Sequence, residues 1–178
     1  MGAARGRALM TARDAILSAI RAAAVPAAPP AHLPPTPTAP IDDLCDAFLR
    51  VLTEVGGQGV VRTDGQPMDS LIAELLGPDR QHAIVVRGRF AVAENAAVYV
   101  DAADLSARND IVRAEHLVVI VPFSAIVPTM HEAMRLMPAH SACGWFLSGP
   151  SKTADIEQSL VFGAQGSRTH RVVFDRGT

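Results

Sequence analysis

Apolar residues near the start of the chain recur at helical spacing: Ala15, Ile16, Ile20 and Ala23, separated by good helix formers, predict a short helix over residues 11–24. Val25-Pro26 ends it, and seven of the thirteen prolines then fall between residues 26 and 40. A tract of that kind sustains neither a helix nor a central strand, so it is read as extended linker. Residues 1–40 are therefore taken as an N-terminal helix with a proline-rich linker, and residues 41–178 as one domain.

Within that domain the periodicity alternates between helical and continuous. Asp42-Asp43 opens a helix whose Leu44, Ala47, Phe48, Val51, Leu52 and Val55 share one face, and Gly56-Gly57 ends it. A short strand at 59–63 follows, then a helix over 67–76 with Pro67 in its first turn and Gly77-Pro78 as its stop. Residues 82–86 read as a strand, and 90–93 with 96–100 as a closely spaced pair around Glu94. His116-Leu117-Val118-Val119-Ile120-Val121 is the strongest strand signal, apolar on both faces. Helices are expected over 124–136 and 153–162, with strands over 144–148 and 171–174. This alternation predicts an α/β fold with a mostly parallel sheet covered by helices on both faces.

Composition narrows the function classes. Sixteen Lys and Arg against eighteen Asp and Glu leave a net charge of −2, which supplies no basic surplus for nucleic acid. With 49% hydrophobic and 19% charged residues the chain is able to build a core, and one Trp, one Tyr and six Phe mean that aliphatic side chains fill most of it. No apolar run approaches the roughly 18 to 20 residues that span a bilayer, so no membrane partner is expected. Cys45 and Cys143 stand far apart with no CxxC, which predicts free thiols, a cytoplasmic location, no metal and no cofactor. The first residues lack the apolar stretch of a secretory signal, and Met10 is as good a start as Met1.

The densest polar segment is Ser148-Gly149-Pro150-Ser151-Lys152-Thr153, read as joining a strand to a helix. In an open α/β sheet such a loop faces the crevice at the carboxyl ends of the strands, where helix N-termini favour anions. Ser148, Gly149, Ser151, Lys152 and Thr153 are thus candidate ligands for a small carboxylate or phosphate, with Glu94 on the opposing wall. A P-loop is excluded, because Pro150 stands where Lys must follow the second glycine. The equal alternative is a cap: Thr153 begins the helix, and Asp155 and Glu157 are its first-turn carboxylates.

Glu94 is the one charge between two strand runs, which makes it a candidate acid, base or acyl-accepting nucleophile, or a turn residue whose carboxylate accepts backbone N–H groups. His131-Glu132 lacks the second histidine of a zinc helix, and His116 at a strand start reads as structural. Met130, Met134 and Met137 fall at helical spacing and are expected in the core. Arg62, Arg87, Arg89 and Lys152 converge on an anion only if the fold joins their strand ends.

From Ser148 to Glu157, through Leu160-Val161, Gly163-Ala-Gln-Gly166 and the closing Arg171-Val-Val-Phe174, the chain resembles the lactate utilisation protein C family, the LUD-domain proteins. Ala93-Glu94, His116 before its apolar strand, and the opening Thr11-Ala-Arg-Asp-Ala-Ile-Leu17 extend the likeness. Asn95-Ala96-Ala97 stands where the family often has Thr-Gly-Thr, and Gln165 and Ser167 where it often has His and Pro. The resemblance implies a fold similar to the sugar-phosphate isomerase and CoA-transferase group. It further implies a non-redox component of a cytosolic system that oxidises L-lactate to pyruvate with iron–sulfur partner proteins. The competing expectations are a stand-alone acyl- or CoA-transferase using Glu94, by analogy with CoA-transferases, and a small-anion-binding module. Assembly into a homo-oligomer is left open.

Overall fold

The computed structural model describes residues 11–23, 43–107, 109–138, 143–156 and 159–177, with 155, 156 and 159 through their backbone alone. The chain divides into two units, each described by itself. In the first, helix α1 (Ala12–Ala22) starts with a capping box: Thr11 Oγ1 accepts the Asp14 N–H, and the Asp14 carboxylate accepts the Thr11 N–H. The proline tract lies outside the described residues.

The second unit opens with α2 (Leu44–Glu54), where the Asp43 carboxylate accepts the Asp46 N–H at 2.9 Å and Phe48 and Leu52 are buried. Strand β1 (Gln58–Val61) leads to α3 (Met68–Leu76), preceded by Pro67, and a 3-10 turn over Gly77–His82 leads to β2 (Ala83–Arg87). Strands β3 (Phe90–Val92) and β4 (Ala97–Asp101) form the hairpin expected around Glu94. A one-turn helix α4 (Asp110–Arg113), which no sequence signal announced, precedes β5 (His116–Pro122). Then come β6 (Ile126–Val127), α5 (Met130–Leu136), β7 (Gly144–Leu147), β8 (Lys152–Ile156), β9 (Ser159–Phe162) and β10 (Thr169–Asp175).

The central sheet has the order β1-β10-β5-β2 and every pair in it is parallel. Its two middle strands are covered on both faces, which is why they read as unbroken apolar runs. Val118 and Val173 pack against Leu71, Ile72 and Leu76 of α3. Leu117, Val119, Val121, Val172 and Phe174 face the other way, toward Phe48 and Leu52 of α2. That second face is shared with a smaller sheet, β6-β3-β4-β7, whose Ala91, Val98 and Val100 join the same core. On the far side of the smaller sheet Phe90, Tyr99 and Phe146 stack together under Ala133 of α5.

Two expected helices are corrected. Of residues 124–136 only Met130–Leu136 is α-helical; Ser124 and Ala125 end a 3-10 turn that begins at Phe123, and Ile126 and Val127 pair with Ala91 and Val92. Pro128 disfavours a helical residue before it, and two β-branched side chains suit the pleated edge that β3 offers. Where a helix was expected over 153–162, Lys152–Ile156 and Ser159–Phe162 form the antiparallel pair β8-β9, with Thr153 opposite Val161 and Lys152 opposite Phe162, while 157 and 158 lie outside the described residues. Around that pairing half-buried Thr153 and Val161 alternate with exposed Lys152, Ala154, Leu160 and Phe162, a period of two that the good helix formers in the segment conceal. The methionine stripe is also divided: Met130 and Met137 pack on the smaller sheet, whereas Met134 is exposed.

Candidate functional site

Because β8 follows the 148–151 loop, that loop meets no helix N-terminus, and Thr153 is a strand residue and not a cap. The loop is placed instead by backbone ties. Ser148 Oγ donates to the Asn95 carbonyl at 2.7 Å, which joins the loop to the β3–β4 turn. The Ser151 N–H donates to the Ser167 carbonyl, and the Ser151 carbonyl accepts the Gly163 N–H, both at 2.9 Å. Ser151 Oγ accepts the Gln165 N–H at 3.3 Å. Gly149 has φ +74°, and a Cβ there would stand 2.8 Å from Val55 Cγ2 and 2.9 Å from the Val55 carbonyl oxygen. The turn and the close approach both require glycine.

These ties also set which end of the sheet the loop occupies. Residues 167–170 lead into β10 at its amino end, so the loop lies at the amino ends of the parallel strands and not in the carboxyl-end crevice expected of it. The carboxyl ends carry a different group. Arg87, Arg89 and Arg176 line a cleft of about 570 Å³ there with Asp104 and Asp175. Arg62 pairs with Asp175 at 2.7 Å, and Arg89 grips Asp104 through Nε at 2.7 Å and Nη2 at 3.2 Å. Three of the four basic residues singled out from the sequence therefore lie at the carboxyl end of the central sheet, Arg87 and Arg89 in the cleft and Arg62 on Asp175 beside it. Lys152 lies at the other, where its Cε approaches Gly56 ahead of β1 and its Nζ sits 5.8 Å from the Phe162 ring.

Glu94 is exposed, and its Oε2 accepts the Met130 N–H at 2.9 Å, tying the hairpin turn to the start of α5. The same turn holds Ala96 at φ +52°, the one non-glycine residue in the left-handed region among the described residues. Relief of that strain, about 1–2 kcal/mol, would offset the loss of a buried methyl, about 0.8 kcal/mol, and the added backbone freedom, about 0.5–1 kcal/mol. Ala96→Gly is accordingly expected to change stability by less than about 1 kcal/mol in urea unfolding, although Ala96 is fully buried.

Ser148, Gly149 and Ser151 line a half-open cleft of about 270 Å³, with Ile111, Leu117 and Trp145 among its apolar walls. His170, absent from the sequence-based candidates, lines it too and is 1% exposed. Its Nδ1 is 2.9 Å from the Gly149 carbonyl oxygen. A carbonyl oxygen only accepts, so Nδ1 carries the proton and Nε2 presents a lone pair, for which no donor stands within reach among the described residues. An unsatisfied buried acceptor of this kind costs about 1–3 kcal/mol. The available signal was a polar residue near the start of a buried strand, as His116 is at the start of β5. There, Nδ1 meets Thr169 Oγ1 at 2.9 Å and Nε2 is 3.9 Å from Asp79, so His116 is a partnered structural residue.

Burial pushes the His170 pKa below its ordinary value, against an opposing pull from the Gly149 hydrogen bond. Between the folded-state value and the ordinary value near 6.5 the unfolded chain therefore binds the extra proton. His170's contribution to stability is complete above that ordinary value and is lost as pH falls below it, by up to about 1.4 kcal/mol per pH unit. Melting temperature measured from pH 7.5 to 5 is expected to fall in the wild type more steeply than in His170→Phe.

Comparison with known proteins follows the same segment. The LUD domain matches residues 79–174. Lactate utilization protein C 1 of Bacillus mycoides (strain KBAB4) is 37% identical over 92 residues, 47% of this chain and 39% of the relative. Lactate utilization protein C of Anoxybacillus flavithermus (strain DSM 21510 / WK1) is 40% identical over 63 residues, 33% of this chain and 29% of the relative. The matches thus span about two-fifths or less of these curated relatives' length. The crystal structure of a DUF162 family protein from Deinococcus radiodurans superposes with a TM-score of 0.52 at 14% identity, over 74% of this chain and 96% of that one, a likeness of fold. With more than half of its residues matched by the domain, the chain belongs to the LUD-domain family.

Proposed function

We propose that the chain is a non-redox component of a lactate-utilisation system, working with iron–sulfur partner proteins that carry the electrons from L-lactate, and that the 148–151 loop holds its small organic ligand. The observation that carries this reading is the likeness to two relatives named for lactate utilisation, together with the LUD-domain match over residues 79–174, which contain most of the residues lining the cleft. This sequence contains two cysteines, fewer than the four thiolates of a common iron–sulfur cluster, so electron carriage is assigned to the partners. Among the described residues no helix is long and apolar enough to cross a membrane. Glu94 supports acyl transfer poorly, since its carboxylate is engaged by the Met130 N–H.

The test is removal of the protein from its native cells, with a tagged copy restored. Growth on L-lactate is expected to fail without it while growth on a sugar continues, and the tagged protein is expected to recover iron-containing partners. Unimpaired lactate oxidation in its absence would overturn the reading. In the same cells Lys152→Met is expected to leave the folded protein level unchanged, because the side chain is exposed. Reduced growth on lactate from that variant would mean that Lys152 faces the ligand or a partner.

A further inference from the structure

The cleft beneath the 148–151 loop carries more information about its ligand than the loop's hydroxyls alone. Leu117 and Trp145 are among its apolar walls, and none of the described residues that line it is Lys or Arg. A buried carboxylate would find no cation there, so the anionic part of any ligand has to remain at the open mouth, in water. Two of the lining hydroxyls already hold a bond each: Ser148 Oγ donates to the Asn95 carbonyl, and Ser151 Oγ accepts the Gln165 N–H. Among the lining residues His170 adds an acceptor, its buried Nε2, fixed in that role because Nδ1 must donate to the Gly149 carbonyl.

We propose that this cleft is a binding site for a small hydroxyl-bearing molecule whose O–H donates to His170 Nε2, and that it thereby selects a hydroxy compound over its oxo counterpart. The identification of that compound as lactate rests on the proposed function; the preference for a hydroxyl does not. A hydroxyl supplies the missing proton to Nε2, whereas a keto oxygen has only lone pairs to set against another lone pair. Ser151 retains a hydroxyl proton of its own, because Oγ serves as the acceptor in its bond to Gln165, and that proton is free to meet a second oxygen of the ligand. Since Nε2 is buried, an occupant reaches it by shifting a neighbouring side chain, and an affinity on the order of 1 mM is expected of so small a ligand.

The experiment is side-chain nitrogen NMR on the full chain labelled with ¹⁵N-histidine, titrated separately with L-lactate, pyruvate and propane-1,2-diol. Before titration the His170 resonances should report a proton on Nδ1 and a bare Nε2. L-lactate and the diol are expected to move the Nε2 resonance toward the hydrogen-bonded position, with pyruvate weaker by about tenfold. A shift with the diol but not with L-lactate would keep the hydroxyl site and remove lactate as its ligand. Binding of L-lactate that leaves Nε2 unmoved, or pyruvate bound as tightly, would overturn the hydroxyl site while leaving the lactate-utilisation reading intact. A proton found on Nε2, or no response to any of the three at 50-fold above the expected dissociation constant, on the order of 50 mM, would also overturn it. His170→Phe, where it folds, should abolish the preference for L-lactate over pyruvate; the wild-type resonance decides the matter if it does not.

Discussion

Gly149→Ala is expected to destabilise the α/β unit by about 3 kcal/mol, the sum of left-handed backbone strain and a clash that has little room to relax. The new methyl would stand 2.9 Å from the Val55 carbonyl oxygen and 2.8 Å from Val55 Cγ2, at the residue that closes α2. Gly65 is the control, with a similar φ of +77° and nothing within 4 Å of a Cβ. Gly65→Ala should therefore lose only the strain, about 1–2 kcal/mol. Urea unfolding of the two variants separates the terms by difference. Equal losses would mean that the loop does not lie against α2 as described. Because Gly149 also supplies the carbonyl that fixes the His170 tautomer, a displaced loop should weaken whatever the cleft binds.

Phe174→Ala tests the far end of β10, the strand that carries His170, with an expected loss of about 3–5 kcal/mol. Phe174 is fully buried on β10, edge-on to Phe48 of α2 at 5.0 Å between ring centroids and to Phe123 at 6.3 Å. Its removal leaves a cavity at the junction of the central sheet and α2, where the neighbours belong to separate elements and close in only partly. A melting temperature lowered on the order of 10 °C is the corresponding thermal result. A loss below about 1 kcal/mol would show that the junction collapses onto the gap.

How much of this was legible beforehand follows from what kind of physics each feature obeys. The sequence by itself determined the α/β class, α2, α3, the hairpin around Glu94 and the buried strand from His116, because each has a local period or a local stop residue that no distant contact needs to supply. Whether Arg62, Arg87 and Arg89 share one end of the sheet depended on the fold, and the parallel register places all three at the carboxyl ends of the strands. Only the tertiary structure decided the segment after Lys152, where helix formers were outweighed by pairing between Thr153 and Val161. It likewise decided which end of the sheet the 148–151 loop occupies, since that depends on the Ser151–Ser167 and His170–Gly149 bonds, made across sixteen and twenty-one residues of chain. His170 was hidden for the same reason: a histidine at the start of an apolar strand looks alike whether its ring meets a neighbouring hydroxyl, as at His116, or keeps a buried nitrogen without a partner among the described residues. That distinction is made by neighbours brought from Gly149 and Thr169, and a one-dimensional pattern carries no record of them.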